Sequence, residues 1–270
     1  MKNGLIKMTE KEYRSLDLPN FSLLKDFDKP LGYIQNKPKV METASMKLGT
    51  AVHSLVLEPL VFKEIYEAEE KIRFNGDKIN KRLKAHREYI ENMVNMLGVT
   101  IIPSSDKNIF NYRNVINMAK SVKAEIYNDL EQTEMVNIFE FNGQQYKSKI
   151  DFINHSGNSF GDIKTIKANI LQSDDLLKWK IINAKYHEQL AFYYMGLHLN
   201  GVDIKEGKLV FVENSAPHMT RTVKFTSNEL TDIFNTTIIH KLEKHKEYVK
   251  NKNKSYPTKY SNLQWGDLWN

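Results

Sequence analysis

The stretch Glu134–Lys164, EMVNIFEFNGQQYKSKIDFINHSGNSFGDIK, decides the fold. It reads as three short strands joined by two turns. Asn142-Gly143 is a hairpin signal, and His155-Ser156-Gly157-Asn158 supplies the second turn. The second strand ends in Lys149-Ile150-Asp151-Phe152-Ile153, and the third carries Gly161-Asp162-Ile163-Lys164-Thr165. Side chains alternate across a strand, so Asp162 and Lys164 share one face while Ile163 takes the other. With the two strands adjacent, Asp151 stands beside that pair. Two carboxylates and an ammonium on one sheet surface suit the holding of Mg²⁺ and the activation of a water. An acid and a lysine two apart also occur on many solvated sheet faces. The second carboxylate, on the preceding strand, sets this stretch apart.

The composition narrows the chemistry. Of the 270 residues, 41% are hydrophobic and 27% charged, the balance of a globular protein with a real core. No run of eighteen apolar residues marks a membrane span. The N-terminal MKNGLIKMTEKEY has no apolar core followed by a small-residue cleavage site, so a cytoplasmic protein is expected. There is no cysteine, which excludes disulfides, thiolate zinc and iron–sulfur clusters. A metal must then be held by His, Asp, Glu or backbone oxygen, a donor set suited to Mg²⁺ or Mn²⁺. The formal charge of +6 and pI near 9.1 are compatible with a polyanionic partner. Lys71–Arg87 holds seven basic residues against the single acid Asp77, and Lys241–Lys254 six lysines against Glu243 and Glu247. Either cluster can neutralise phosphates or serve as a solvated helix face.

Outward from the central strands, a short helix is read from Ser22 to before Pro30. A longer one lies between an N-cap at Thr43 and a stop at Pro59, with Leu48, Ala51, Val52 and Leu55 as its apolar stripe. Gly49 and His53 fall one turn apart beside that stripe, where glycine lets another backbone or a ligand approach closely. Residues 60–131 read as mainly helical and basic. Ile79–Leu97 is amphipathic, with Leu83, Tyr89, Ile90, Met93 and Leu97 toward the core and Gly98 as its stop. Residues 71–79 read as a mobile loop. A helix capped by Ser104, Ser105 or Asp106 runs to about Leu130 with Ile109, Tyr112, Val115, Ile116, Ala119 and Val122 inward. Beyond the strands, Asp174 or Asp175 opens a helical region, broken once, to Leu199, and it puts Gln189 and Tyr193 on one face. Strands at Lys208–Val212 and Thr220–Phe225 and a helix at Ser227–Lys250 follow, then an aromatic tail, Tyr256–Asn270, with Trp265 and Trp269 as packing anchors. Histidines other than His53 read as ordinary surface or core residues, and Tyr186, Phe192 and Tyr194 as core. One domain over 1–270 is expected: a mainly helical part to 131, the sheet and its following helices over 132–226, and a C-terminal helix and tail over 227–270.

The ordered motifs LGTAVH (48–53), KSKIDF (147–152), GDIKT (161–165) and QLAFYY (189–194) resemble the exonuclease VIII (RecE-type) nucleases of phage recombination systems. Those enzymes belong to the wider PD-(D/E)XK superfamily, with lambda exonuclease and the RecB nuclease domain. The likeness runs from the Ser22 helix and its lysine-proline end to the tryptophan-containing tail. It implies an α/β fold with a PD-(D/E)XK core, a central mixed sheet flanked by helices and preceded by an N-terminal helical region. By the resemblance, His53 is a helix-borne metal ligand, Asp151 and Asp162 are metal-binding aspartates, and Lys164 orients or deprotonates the attacking water. Gln189 and Tyr193 match a Q-x-x-x-Y motif beside the site that contacts nucleic acid. Glu134 matches a glutamate that adds a ligand, with Glu140 as the alternative, and the carbonyl of Ile163 is a further ligand.

The implied activity is Mg²⁺-dependent digestion, with Mn²⁺ as substitute, of one strand of linear duplex DNA from its end, 5′ to 3′. It leaves 3′ single-stranded tails for an annealing protein. Two ions about 3.5–4 Å apart can polarise the phosphate and steady the leaving oxygen together. Lys164, beside such an ion, acts as base through a lowered pKa or only holds the water. A homo-oligomer encircling DNA, from a phage or prophage in a bacterial host, is the implied setting. The rival expectations are another nuclease of the superfamily, endonucleolytic or specific for flaps or single strands, and a non-catalytic DNA- or protein-binding module on the same fold.

Overall fold

The computed structural model describes residues 2–38 and 41–251. The chain enters its main sheet at once, because β1 (Gly4–Lys7) pairs antiparallel with a strand from mid-chain that the sequence gives no sign of pairing with it. Then come α1 (Glu10–Ser15), closed by a reciprocal Thr9–Glu12 capping box, α2 (Phe21–Leu24) and α3 (Leu31–Gln35). The helix expected from Ser22 begins at Phe21, since Asn20 caps it by accepting from the Leu23 amide at 3.1 Å, and it gives way to turns after Leu24. The next, α4 (Ala44–Leu57), starts from Thr43 as read. Pro59 opens α5 (Pro59–Ile65) at a position where its missing N–H costs nothing.

Residues 60–131 depart most from expectation, since four short strands interrupt the helices. These are β2 (Tyr66–Ala68), β3 (Arg73–Phe74), β4 (Asp77–Lys78) and, after α6 (Lys84–Leu97), β5 (Thr100–Ile102), which lies parallel to β2. The stretch expected as a mobile loop is the β3–β4 hairpin, turned at Asn75 and Gly76 with φ of 51° and 89°. Ile79–Leu83 precedes α6, not within it, and Leu83 and Leu97 are exposed. The buried member of α6 is His86, whose ring accepts from the Asn80 amide at 2.9 Å and lies against Phe74. Gly98 does end the helix, in the left-handed region. Asn111, not Ser104, Ser105 or Asp106, caps α7 (Tyr112–Ile126), accepting from the Asn114 amide at 2.9 Å. The helix stops at Ile126, short of Leu130, in a 3₁₀ turn.

The central strands are β6 (Gln132–Phe141), β7 (Gln144–Asn154) and β8 (Ser159–Ile166). Asn142 and Gly143, both at positive φ, make the tight turn their sequence requires. Helices α8 (Asp174–Ala184) and α9 (Tyr186–Leu199), broken at a left-handed Lys185, cross to β9 (Glu206–Glu213), and β10 (Thr220–Thr226) returns. The chain then passes through α10 (Ser227–Ile233), a π turn and α11 (Ile239–Lys250). The sheet order is β1-β6-β7-β8-β9-β10, antiparallel except for the β8–β9 pair. That parallel pair needs a crossover, and α8–α9 supplies it.

Two apolar layers cover the sheet. On one face Leu48, Ala51 and Val52 of α4 and Val115, Met118 and Val122 of α7 meet Phe152, Ile163 and Val210. On the other, Leu190, Phe192 and Leu197 of α9 and Leu230 of α10 meet Phe139, Ile150, Phe160 and Phe211. Burying each such side chain contributes roughly 1.5–3 kcal/mol, so both helical layers are held firmly. Of the basic clusters, Lys241 is buried in an ion pair with Glu188. In Lys71–Arg87, Lys81 pairs with Glu69, and Arg73 and Arg87 donate to backbone carbonyls. Lys252, Lys254 and the Tyr256–Asn270 tail, with Trp265 and Trp269, lie outside the described residues. No helix of the described residues is long and apolar enough to cross a membrane.

Candidate metal centre

The site forms where the central strands part. Pairing between β7 and β8 ends at Phe152–Gly161, and beyond it β8 continues beside β9 alone. Gly161 permits this crossing: a Cβ there would lie 2.1 Å from the ring of Phe152. The next residue of β7 is Asp151. Its carboxylate accepts from the Ile163 amide at 2.7 Å, replacing the lost strand partner.

On β6, Glu134 lies across from Asp151, between the Thr133–Phe152 and Met135–Ile150 pairs, with φ at +52°. A glutamate in the left-handed region is strained, and such strain concentrates at functional positions. It also reverses the pleat. Met135 and Ile150 pack toward the α9 layer, whereas Phe152 packs toward α4, and the Thr133 hydroxyl donates at 2.8 Å to the carbonyl of Leu57. Strict alternation from the sequence misses this reversal. Glu140, the alternative to Glu134, pairs with Gln145 near the hairpin end, about 20 Å further along the strand.

His53 comes from α4. Gly49 lets that helix approach β8 closely, since a Cβ there would lie 3.1 Å from the Thr165 hydroxyl. One turn on, the His53 imidazole stands 3.3 Å from the Asp151 carboxylate. Among the described residues, His53, Glu134 and Asp151 each offer a ligand atom, all within 4.8 Å of one another. Two oxygen donors and one nitrogen, with two carboxylates drawn together out of water, fit a hard divalent cation. Asp162 stands outside this trio, as its Oδ2 pairs with Lys164 Nζ at 2.5 Å. Gln189 Nε2 lies 3.4 Å from Asp162 Oδ1 and donates to the Tyr193 hydroxyl at 2.6 Å. The Lys164 ammonium also lies 5.0 Å over the ring of Tyr186, which thus joins the site where a plain core residue is expected. The Ile163 backbone meets the site twice, through its amide to Asp151 and through a hydrogen bond with His53.

The electrostatics follow from this crowding. Burial, reinforced by the Asp162 charge, pushes Asp151 up to about 8. Glu134 is raised by burial and by Asp151, against the pull of Lys149. Burial lowers His53, leaving a neutral imidazole able to bind a cation. Burial works to lower Lys164 as well, but Asp162 and Asp151 outweigh it and hold the ammonium above its usual value. Lys149, unread in the sequence, pairs with both Glu134 and Glu10. Its signal is the spacing Lys149-x-Asp151 on β7, which mirrors Asp162-x-Lys164 on β8.

The fold is similar to that of a candidate exonuclease from Eubacterium rectale, 15% identical, with a TM-score of 0.54 over 98% of this chain and 94% of that one. At that identity the likeness shows the fold alone. A phage-related exonuclease from Haemophilus somnus 129PT is 14% identical, over 81% of this chain and 99% of that one, with a TM-score of 0.36. An alkaline exonuclease from Laribacter hongkongensis is 12% identical, over 65% of this chain and 88% of that one, with a TM-score of 0.32. No curated protein matches the chain. A protein-family model, the PDDEXK-like domain of unknown function (DUF3799), matches residues 20–261, and the chain belongs to that family.

Proposed function

We propose that the protein is a divalent-metal-dependent exodeoxyribonuclease that digests one strand of linear duplex DNA from an end. The observation carrying this reading is the convergence of His53, Glu134 and Asp151 beside the Asp162–Lys164 pair, at the fork of a PD-(D/E)XK sheet. His53, Glu134 and Asp151 would hold the cation, Mg²⁺ or Mn²⁺, with Asp162 and the Ile163 backbone as further candidate ligands. When bound, such a cation offsets the phosphate charge and lowers the pKa of a coordinated water. Asp151 gives up its proton to bind it. Lys164, held cationic by Asp162, donates hydrogen bonds that orient the attacking water against the phosphate. Gln189 and Tyr193 steady Asp162 and face the nucleic acid strand.

End dependence, 5′-to-3′ polarity, the 3′-tailed product handed to an annealing protein and action as a homo-oligomer in a phage-bearing bacterial host rest on the likeness of the four ordered motifs to RecE-type enzymes. Purified protein with Mg²⁺ is expected to degrade linear duplex, release nucleotides first from a 5′-labelled end, and leave covalently closed circles intact. Chelation of the metal, Asp162→Ala or Lys164→Ala is expected to abolish digestion with the circular dichroism spectrum unchanged. Cleavage of closed circles means an endonuclease instead, and digestion by both variants refutes the site.

A further inference from the structure

Glu134 belongs to the trio that fits a cation, yet one oxygen of its carboxylate is already taken. It is paired with Lys149, and Lys149 also reaches Glu10 of α1 at 2.8 Å. The three groups form a chain running outward: the Glu134 side chain is 10% exposed, that of Lys149 22% and that of Glu10 49%. Glu10 is oriented by its own helix and by Arg14. It sits in the first turn of a helix locked by the Thr9–Glu12 capping box, and its second oxygen is held by Arg14 at 2.6 Å. The same N-terminal segment grips β6 on both sides of Glu134. Lys7 pairs in register with Met135, and its ammonium donates to the Thr133 carbonyl at 2.8 Å. Residues before 20 lie outside the family match, so nothing in that match assigns Glu10 a part.

A divalent cation entering between His53, Glu134 and Asp151 would compete with Lys149 for the Glu134 carboxylate. Were Glu134 the sole partner, a largely buried ammonium would be left uncompensated, a costly state. A second carboxylate within reach removes that obstacle. We infer that Glu10 is a positioning residue for the metal centre, keeping hold of Lys149 when a divalent cation takes Glu134. Lys149, paired with both carboxylates before the cation enters, then rests on Glu10 alone, and the site exchanges one cation for a second without stranding either charge. The inference rests on the reading of the trio as a metal site.

The test is calorimetric titration of the full chain with Mn²⁺ alone, with no DNA and no turnover. Glu10→Gln, on the protein surface, is expected to weaken Mn²⁺ binding about tenfold, the scale of coupling between charges in one network. Glu10→Asp, which restores the carboxylate, is expected to recover most of the affinity. In a Lys149→Met background, Glu10→Gln is expected to change nothing, because there is no ammonium to hold. Nuclear magnetic resonance of the Lys149 ammonium gives a second readout: on binding of Mg²⁺, its contact with Glu134 is expected to be lost while that with Glu10 is kept. Unchanged affinity in Glu10→Gln, or an equal loss with and without Lys149, overturns the role of Glu10 while leaving the metal site standing. Failure of the wild-type chain to bind Mn²⁺ overturns the metal reading and the role of Glu10 together.

Discussion

Asp151 accepts a hydrogen bond from the amide of Ile163 at 2.7 Å, so a side chain stands in for the strand that β8 has lost at the fork. The same carboxyl is crowded by Asp162 and shut from water, and it is pushed up to about 8. One residue therefore ends a ladder and holds a proton that a metal bound there would displace. Both consequences are measurable.

The first concerns stability without metal. A carboxyl whose native pKa is raised holds its proton more tightly when folded. Its stabilising contribution is complete below its unfolded pKa of about 3.9, and it is lost as pH rises toward 8. The limiting slope is about 1.4 kcal/mol per pH unit. Asp151→Asn keeps an acceptor for the Ile163 amide and removes the titration. In chelator, the wild type is expected to lose melting temperature relative to Asp151→Asn between about pH 5 and pH 8. His53, whose lowered pKa acts in the opposite sense, contributes to both curves, its part fading as pH falls below 6.5. Parallel curves for the two proteins defeat the assignment.

The second concerns the metal itself. At neutral pH, cation binding is expected to release about one proton, because Asp151 must ionise to coordinate. Calorimetry in buffers of differing ionisation enthalpy counts that proton directly. Affinity should climb about tenfold per pH unit and level off above the Asp151 value. Binding that is insensitive to pH and releases no proton removes Asp151 from the ligand set.

A third prediction tests the crossing that opens the fork. The ring of Phe152 is fully buried, and a methyl at Gly161 would meet it at 2.1 Å. Neither backbone nor ring has room to yield. Gly161→Ala is expected to destabilise the protein by about 1–3 kcal/mol or more, measured by urea unfolding. Adding Phe152→Leu, which withdraws the ring, should recover much of the loss. If the double variant is worse than the sum of the single ones, ring contact is not the cause.

Local signals told most of the architecture. Thr43 capping α4, Gly98 ending α6, Asn142-Gly143 turning β6 into β7 and Asn200-Gly201 closing α9 all act within a few residues. What sequence could not tell was set by distant partners. β1 is four residues long and is a strand only because β6 accepts it. Asn111 prevails over Ser104, Ser105 and Asp106 as a cap because the chain before it folds back, with the Tyr112 amide on the Pro103 carbonyl at 3.0 Å. The site follows the same division. That Asp162 shares a face with Lys164, and Gln189 with Tyr193, is legible from spacing within a strand or helix; their place in a site rests on the likeness of the ordered motifs. The left-handed Glu134, the reversed pleat and the Glu10–Lys149 contact are products of the assembled sheet.

The last prediction separates stability from function at Gly49. Replacing a glycine inside a helix by alanine stabilises the helix by up to about 1 kcal/mol, through reduced backbone freedom in the unfolded chain. Against this, the new methyl would stand 3.1 Å from the Thr165 hydroxyl, so α4 or Thr165 must shift by a few tenths of an ångström. The two effects are of similar size, and the net change in unfolding free energy for Gly49→Ala is expected within about 1 kcal/mol of zero. His53, one turn along the same helix, has no such compensation. Its 3.3 Å approach to Asp151 depends on how closely α4 sits against β8, so metal affinity is expected to fall although the fold does not. Thr165→Ala removes the hydroxyl that the methyl meets, and in that background Gly49→Ala should bind Mn²⁺ nearly as well as the parent. If Gly49→Ala binds Mn²⁺ as the wild type does, helix approach does not position the imidazole. If affinity falls but Thr165→Ala fails to restore it, the Thr165 contact is not the one that sets that approach.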